Sequence, residues 1–391
     1  MSGLLQLVGL ISLAFLGSSA LEHNRRGLGA AGLYVLLGVL VGPLGLSFID
    51  GDARPLLVPT MSLCATWLAF VFGIRLRAGA AKRLQLRGVV ALVGESGGVL
   101  LLVASGVYWL APHLGVAVTP QIAIGIGIAS AASGQAAIHF ARLRLHATGP
   151  LTSFLENVVS ADDLVPFAAV FALAIVLPGT RAPALFGAHG WLIAVATLGL
   201  GGLLGLLYAL AAGQAPSSDR GWVVLIGILF LGAGTAARLG LPEVVVGTLA
   251  GFAVASAAGG RLLVRVVSTT ERPVTLLLLV LIGARLAPSE PASAIALLAL
   301  GLRLSGKILS GPVVGALGGA SMDAGMGLLG YGGLALASAT QLDLLYGGST
   351  GAWVLMAAAA HAIVGDILGP VGTAVLLRRH GELAAHRGES P

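Results

Sequence analysis

Ser160-Ala161-Asp162-Asp163-Leu164-Val165-Pro166 places two adjacent carboxylates and a proline inside a largely apolar stretch, residues 150–178. The surrounding chain does not resemble a soluble surface. Of its 391 residues, 57% are hydrophobic and 10% are charged, with a mean hydropathy of +0.98. A soluble domain carries about 25% charged residues, so a water-exposed fold is excluded. Disordered, collagenous and disulfide-scaffold classes fall too: the 59 glycines follow no Gly-X-Y period, and Cys64 is the only cysteine. What remains is an all-α polytopic membrane protein in which small residues let lipid-embedded helices approach. The net charge of +6 could suggest nucleic acid, but the basic residues sit in short loops, so no nucleic-acid partner is expected.

A helix crosses the hydrocarbon core in about 20 apolar residues. Stretches of that kind predict thirteen spans, at residues 3–21, 27–48, 56–74, 88–111, 119–141, 150–178, 189–213, 221–238, 242–257, 271–287, 291–314, 321–342 and 352–377. Sixteen of the 22 Lys and Arg fall in loops on one side and four on the other, which makes the rich side cytoplasmic. An odd number of spans then puts the N-terminus outside and the C-terminus inside, as in a multi-pass protein of the cell (inner) membrane. Ser18-Ser19-Ala20 resembles a signal-peptide cleavage site, but no Lys or Arg precedes Arg25, so span 1 is expected to be retained.

Two short matches recur at nearly constant offset. Gly38-Val39-Leu40-Val41-Gly42 in span 2 returns as Gly247-Thr248-Leu249-Ala250-Gly251 in span 9, and Gly73-Ile74-Arg75-Leu76 after span 3 returns as Gly283-Ala284-Arg285-Leu286 after span 10. Seven spans separate the first pair, so the two repeats, spans 1–6 and 8–13, have inverted topology, with span 7 as linker. Inverted repeats are a transporter signature. The symmetry pairs span 5, with Ala129-Ser130-Ala131-Ala132-Ser133-Gly134-Gln135, and span 12, with Gly325, Gly327, Gly330, Gly332 and Gly333. Taken singly, such residues only permit tight packing. As a matched pair they predict broken helices whose exposed backbone lines a transport site.

Charges deep in spans are functional candidates. Span 6 enters from the cytoplasm near Pro150, so Asp163 lies roughly 20 Å in, past the middle of a core about 30 Å thick. Two adjacent carboxylates oppose each other's ionisation, so the pair can hold either a proton or a cation, the chemistry of an exchanger. Pro166 lacks the N–H that would bond the carbonyl of Asp162, which is expected to free that oxygen for a hard cation. The expected counter-charge is Lys307 in span 11, with Arg303 one turn earlier as its competitor; Asp366 in span 13 and Glu95 in span 4 could pair with either. Glu156, on the same helix face as Asp163, is expected to line an entry funnel or to be solvated, and His361 and His139 could sense pH.

These residues resemble the cation:proton antiporter superfamily, in its branch with paired aspartates. The likeness spans nearly the whole chain: Gly38-Val39-Leu40-Val41-Gly42-Pro43-Leu44-Gly45, Phe72-Gly73-Ile74-Arg75, Asp162-Asp163, Glu271-Arg272-Pro273 and Gly306-Lys307. The resemblance implies that Asp163 is the main carrier of the monovalent cation and proton and that Asp162 bridges to Lys307. It also implies a hydroxyl residue at the span 5 break, here Ser133. It further implies an elevator-like shift of a core, residues 88–180 and 291–378, against a dimerising scaffold, residues 1–87, with linker and scaffold at 181–290 and a short tail at 379–391. The chain departs from the family pattern at Gly330-Tyr331-Gly332-Gly333, where many relatives carry Arg-Gly-Glu, and at Ala132, where a threonine-like residue is usual.

The resulting expectation is a homodimeric antiporter of Na⁺ or Li⁺ for H⁺, electrogenic and without cofactor. A K⁺/H⁺ exchanger of the same fold and a bile-acid-type sodium:solute symporter are the alternatives. The symporter would not need an aspartate pair facing a lysine. An enzyme finds little support, since the chain has no HExxH motif and no cysteine-based site.

Overall fold

A computed structural model describes residues 3–23, 30–48, 54–77, 86–177, 189–212, 218–256, 267, 269–318 and 321–383. The loop charges Arg25, Arg26, Lys82, Arg83, Arg181, Arg261, Arg265 and Arg387 and the tail residues 384–391 lie outside the described residues. The described residues contain no strand. Their helices are α1 (Gly3–His23), α2 (Ala30–Val41), α3 (Arg54–Arg75), α4 (Leu86–Leu110), α5 (Pro120–Ala131), α6 (Ala136–Arg144), α7 (Pro150–Ala161) and α8 (Leu164–Val176). There follow α9 (Gly190–Ala212), α10 (Ser218–Arg238), α11 (Glu243–Ser256), α12 (Glu271–Arg285), α13 (Glu290–Gly318), α14 (Gly333–Tyr346) and α15 (Gly348–Arg379), with short 3₁₀ turns at Ala111–Leu114 and Ala324–Leu328. Helical segments fall on every stretch expected to be a span, and among the described residues 8 are long and apolar enough to cross a membrane. The chain is a multi-pass membrane protein.

Three spans are divided. Span 5 is α5 and α6 with an extended link at 132–134, and span 12 is a 3₁₀ turn followed by α14. The third division departs from the expectation of one continuous helix in span 6: the chain turns at Asp162-Asp163 between α7 and α8. Its cause is Pro166. Without that N–H, the carbonyl of Asp162 accepts from Val165 instead, at 3.3 Å, tightening the helix locally rather than leaving the oxygen free.

Two seams bring intact helices into backbone contact. A Cβ on Gly38 of α2 would stand 2.1 Å from the carbonyl oxygen of Val280, and one on Gly283 of α12 2.2 Å from that of Val35. In the other seam, a Cβ on Gly73 of α3 would stand 2.0 Å from the oxygen of Thr248, and one on Gly251 of α11 2.1 Å from that of Phe70. Only glycine fits at such separations. The glycines that match in sequence therefore build α2 against α12 and α3 against α11.

The start of α7 is held by the chain end. The Glu382 carboxylate accepts the backbone N–H of Leu151 and of Thr152, each at 2.7 Å, and the Thr152 hydroxyl at 2.6 Å. These are the donors a helix N-terminus leaves unsatisfied. Partial burial pushes the Glu382 carboxyl up, but the hydrogen bonds from Thr152 and Leu151 and the nearby His380 hold it, on balance, below the usual carboxylate range.

Candidate functional site

The two interrupted stretches cross. A Cβ on Gly134 would stand 2.3 Å from the carbonyl oxygen of Tyr331, and one on Gly332 3.0 Å from that of Ser133, so residues 132–135 and 329–332 touch backbone to backbone. An interrupted helix leaves its last carbonyls without intrahelical partners, and here side chains serve them. At the end of α5, the oxygen of Ala129 accepts from the Tyr331 hydroxyl at 2.8 Å, Ser130 from Arg303 Nε at 3.2 Å, Ala131 from Lys307 Nζ at 2.6 Å and Ala132 from Arg303 Nη2 at 3.2 Å. Arg303 also donates to Leu329 at 3.2 Å and Gly330 at 2.6 Å, and its guanidinium lies 5.2 Å from the Tyr331 ring centroid. One side chain on α13 thus staples both interrupted helices. Cations at helix C-termini are also favoured by the helix dipole.

Both cations are fully buried, and three acids accompany them: Glu95 on α4 and the Asp162-Asp163 pair. Asp162 Oδ2 accepts the Ser133 backbone N–H at 2.7 Å, so a residue of the break itself orients this carboxylate. Lys307 Nζ donates to Ser133 Oγ at 2.9 Å. It lies 2.8 Å from Glu95 Oε1 and 3.9 Å from Asp162 Oδ2. The Oδ1 atoms of Asp162 and of Asp163 are buried without a hydrogen-bond partner. Asp163 keeps 8% of its surface exposed and Asp162 none, so Asp163 is the member of the pair that remains reachable. Its electrostatic neighbours are Asp162, Glu271, Arg75 and Lys307. Arg75, at the end of α3, pairs with Glu271 and donates to Gln135 Oε1 at 3.2 Å, which links α3 to the start of α6.

The structure therefore brings Asp162, Asp163, Ser133, Lys307, Arg303 and Glu95 to one place. Lys307 pairs with Glu95, one of the expected alternatives, and more loosely with Asp162, whereas Arg303 serves carbonyls rather than a carboxylate. Asp366 and Glu156 are engaged elsewhere. Asp366 Oδ2 accepts the Ala31 N–H at the start of α2, at 2.9 Å, and so joins neither cation at the crossing. Glu156 pairs with Arg142 at a half-exposed position, which fits the solvated alternative. His361 is fully buried with its ring 5.7 Å from that of Tyr331, behind the crossing.

Some participants escape a sequence reading. Tyr331 is the aromatic residue within a glycine run, a signal that could have marked it. Asp343 on α14 has none, while Gln341 is marked only as one of the polar residues, with Ser338 and Thr340, that follow the glycines of span 12. Gln341 accepts from the Val244 N–H at 2.9 Å and donates to Glu243, at the start of α11, while Asp343 receives a forked pair of bonds from Arg285, Nε at 2.6 Å and Nη2 at 3.2 Å. These contacts join α14 to α11 and α12.

Interrupted helices cross here beside buried acids and bases, and the fold around them is similar to that of a sodium/proton antiporter. Among solved structures, that of the sodium proton antiporter MjNhaP1 from Methanocaldococcus jannaschii at pH 8 is similar with a TM-score of 0.62 and 18% identity, covering 96% of this chain and 95% of that chain. An electron-microscopy structure of the same antiporter gives 0.59 and 17% identity, covering 98% of each chain. The likeness is one of fold. No protein-family model matches the chain, and no curated protein matches it either.

Proposed function

We propose that this protein is a secondary active antiporter of the paired-aspartate branch, exchanging Na⁺ or Li⁺ for H⁺ across the cell membrane. The observation that carries this reading is the pair of adjacent buried carboxylates whose Oδ1 atoms lack hydrogen-bond partners beside the crossing of two interrupted helices. Buried polar atoms without partners are rare and call for a function. Carboxylate oxygens are the ligands a hard cation prefers, and a proton satisfies the same oxygens. Because the two cargoes compete for one site, each leaves as the other binds.

In this reading Asp163 is the principal carrier, Asp162 and Ser133 complete the site, and Arg303 and Lys307 hold the backbone that presents it. The core of α4–α8 and α13–α15 moves as an elevator against a homodimeric scaffold. The contacts of Gln341 and Asp343 with α11 and α12 at one end, and of Gln135 with Arg75 at the other, are the links that such a movement exchanges. Thirteen crossings in two inverted repeats, with the N-terminus outside and the C-terminus in the cytoplasm, accompany this scheme. The seams support it: a repeat relating span 2 to 9 and span 3 to 10 turns the α2–α12 contact into the α3–α11 contact. Two carboxylates able to take protons permit more than one H⁺ per cation, which makes the exchange electrogenic and sensitive to the membrane potential. Replacing Asp163 by Asn should abolish cation-driven proton flux in proteoliposomes while the protein still elutes as the folded wild-type oligomer. Retained exchange would overturn the assignment.

A further inference from the structure

We infer that Glu95, not Asp162, is the standing counter-ion of Lys307, and that it works as a positioning residue, holding the ammonium away from the aspartate pair so that both aspartates stay open to cargo. The inference rests on the antiporter reading for its functional half only; the ion pairing stands on geometry.

Three oxygens lie within 2.9 Å of Lys307 Nζ, from Ala131 O at 2.6 Å, Glu95 Oε1 at 2.8 Å and Ser133 Oγ at 2.9 Å. Nζ donates hydrogen bonds to Ala131 O and Ser133 Oγ, and Glu95 Oε1 is its nearest carboxylate oxygen, an ion-pair contact. Asp162 Oδ2, at 3.9 Å, is left with the field of the charge, and it already accepts the Ser133 N–H. At equal dielectric, attraction scales with inverse distance, which makes the Glu95 contact roughly 1.4 times the stronger.

Helix packing explains why Glu95 reaches this point. Glu95, Val99, Leu102 and Gly106 are spaced four, three and four residues apart and share one face of α4. That face runs antiparallel along α13. A Cβ on Gly306 would meet Leu102 Cδ2 at 3.0 Å, and one on Gly106 would meet Leu302 Cδ1 at 2.6 Å. Leu102 and Val99 both pack beside Gly306, and Glu95, one turn beyond Val99 on the same face, meets Lys307 through the length of the two side chains. Both side chains are buried, at 1% and 0% exposure, so each needs the other: an uncompensated buried charge is strongly destabilising, whereas removing both members of a pair is tolerated.

A stability cycle on purified protein in detergent tests the pairing without any transport. Lys307→Gln should lower the unfolding temperature by stranding Glu95, and adding Glu95→Gln should restore most of the loss, while adding Asp162→Asn should not. If Lys307→Gln alone fails to accumulate, recovery of folded protein in one double variant and not the other reads the same contrast. Rescue by Asp162→Asn and not by Glu95→Gln would overturn the inference. In proteoliposomes, Glu95→Gln should free the ammonium to turn to Asp162 and compete with the cation. The apparent KM for Na⁺ or Li⁺ should rise about tenfold, within the range for coupled neighbours, with kcat little changed and Glu95→Asp recovering part of the loss. An unchanged KM in Glu95→Gln would sink the positioning role. Failure of wild-type protein to exchange any cation would count against the antiporter reading and leave the stability result to decide the pairing.

Discussion

Where α2 meets α12 and α3 meets α11, glycines let intact helices touch backbone to backbone, with no charged residue among the atoms nearest those glycines. Where residues 132–135 meet residues 329–332, glycine again permits the approach, yet Glu95, Asp162, Asp163, Arg303 and Lys307 are all buried around it. The difference lies in the backbone. An intact helix satisfies its own carbonyls, so a seam between two of them is held by dispersion and close fit. An interrupted helix exposes carbonyls that lipid cannot solvate. Arg303, Lys307 and Tyr331 serve those carbonyls, and the cations that do so allow acids to be buried beside them. Close approach builds the frame, and interruption builds the site.

This contrast can be broken from either side. The largest loss of stability is expected for Arg303→Met, which leaves carbonyls of Ser130, Ala132, Leu329 and Gly330 without that donor and removes a cation from beside buried acids. A cost of about 3–5 kcal/mol is expected, read as a fall in thermal stability or in the yield of folded protein. Stability like that of wild type would show that the crossing does not depend on its staple. Gly73→Val attacks the other side, forcing a side chain against the Thr248 carbonyl. Overpacking should cost about 1–3 kcal/mol, and the molecules that do fold should bind the cation with wild-type apparent KM. A KM shift as large as that of a crossing variant would erase the distinction between frame and site.

A smaller effect, of about 1 kcal/mol, is expected for Glu382→Gln, which weakens the cap on α7. Its sign with pH follows from the lowered carboxyl. The stabilisation is present in full above the ordinary glutamate value of about 4.3 and fades as pH falls through the still lower value in the folded protein. Wild type and variant should therefore differ in unfolding temperature at pH 7 and converge as pH falls through the lowered value of the folded protein. A gap that persists at acid pH would mean that the carboxylate charge is not what holds the cap.

Much of this contrast is visible in the residues. The Ser and Gly clusters of spans 5 and 12 announce interruptions because they leave a helix little to hold it, and an acidic pair deep in an apolar run is too costly to bury for packing alone. The matched glycines announce a repeat, though not which helix each one touches. The turn at Asp162-Asp163 was not legible, because Pro166 has two outcomes, a freed carbonyl or a tightened turn, and local sequence does not choose between them. The places of Glu95 and Asp366 depend on how α4 docks on α13 and α15 on α2. Such contacts join residues far apart in the chain and leave no local pattern. Arg303 was recognisable as a buried charge, but its work for carbonyls becomes visible only once both breaks face it.

The central claim is that the buried aspartate pair exchanges a monovalent cation for protons. Its most direct test is proton flux in proteoliposomes containing the wild-type protein, followed with a pH-sensitive dye while Na⁺, Li⁺ and K⁺ are added in turn at several pH values. The account predicts a proton flux opposite to the cation for Na⁺ or Li⁺. No response to any of the three cations at any pH would contradict it.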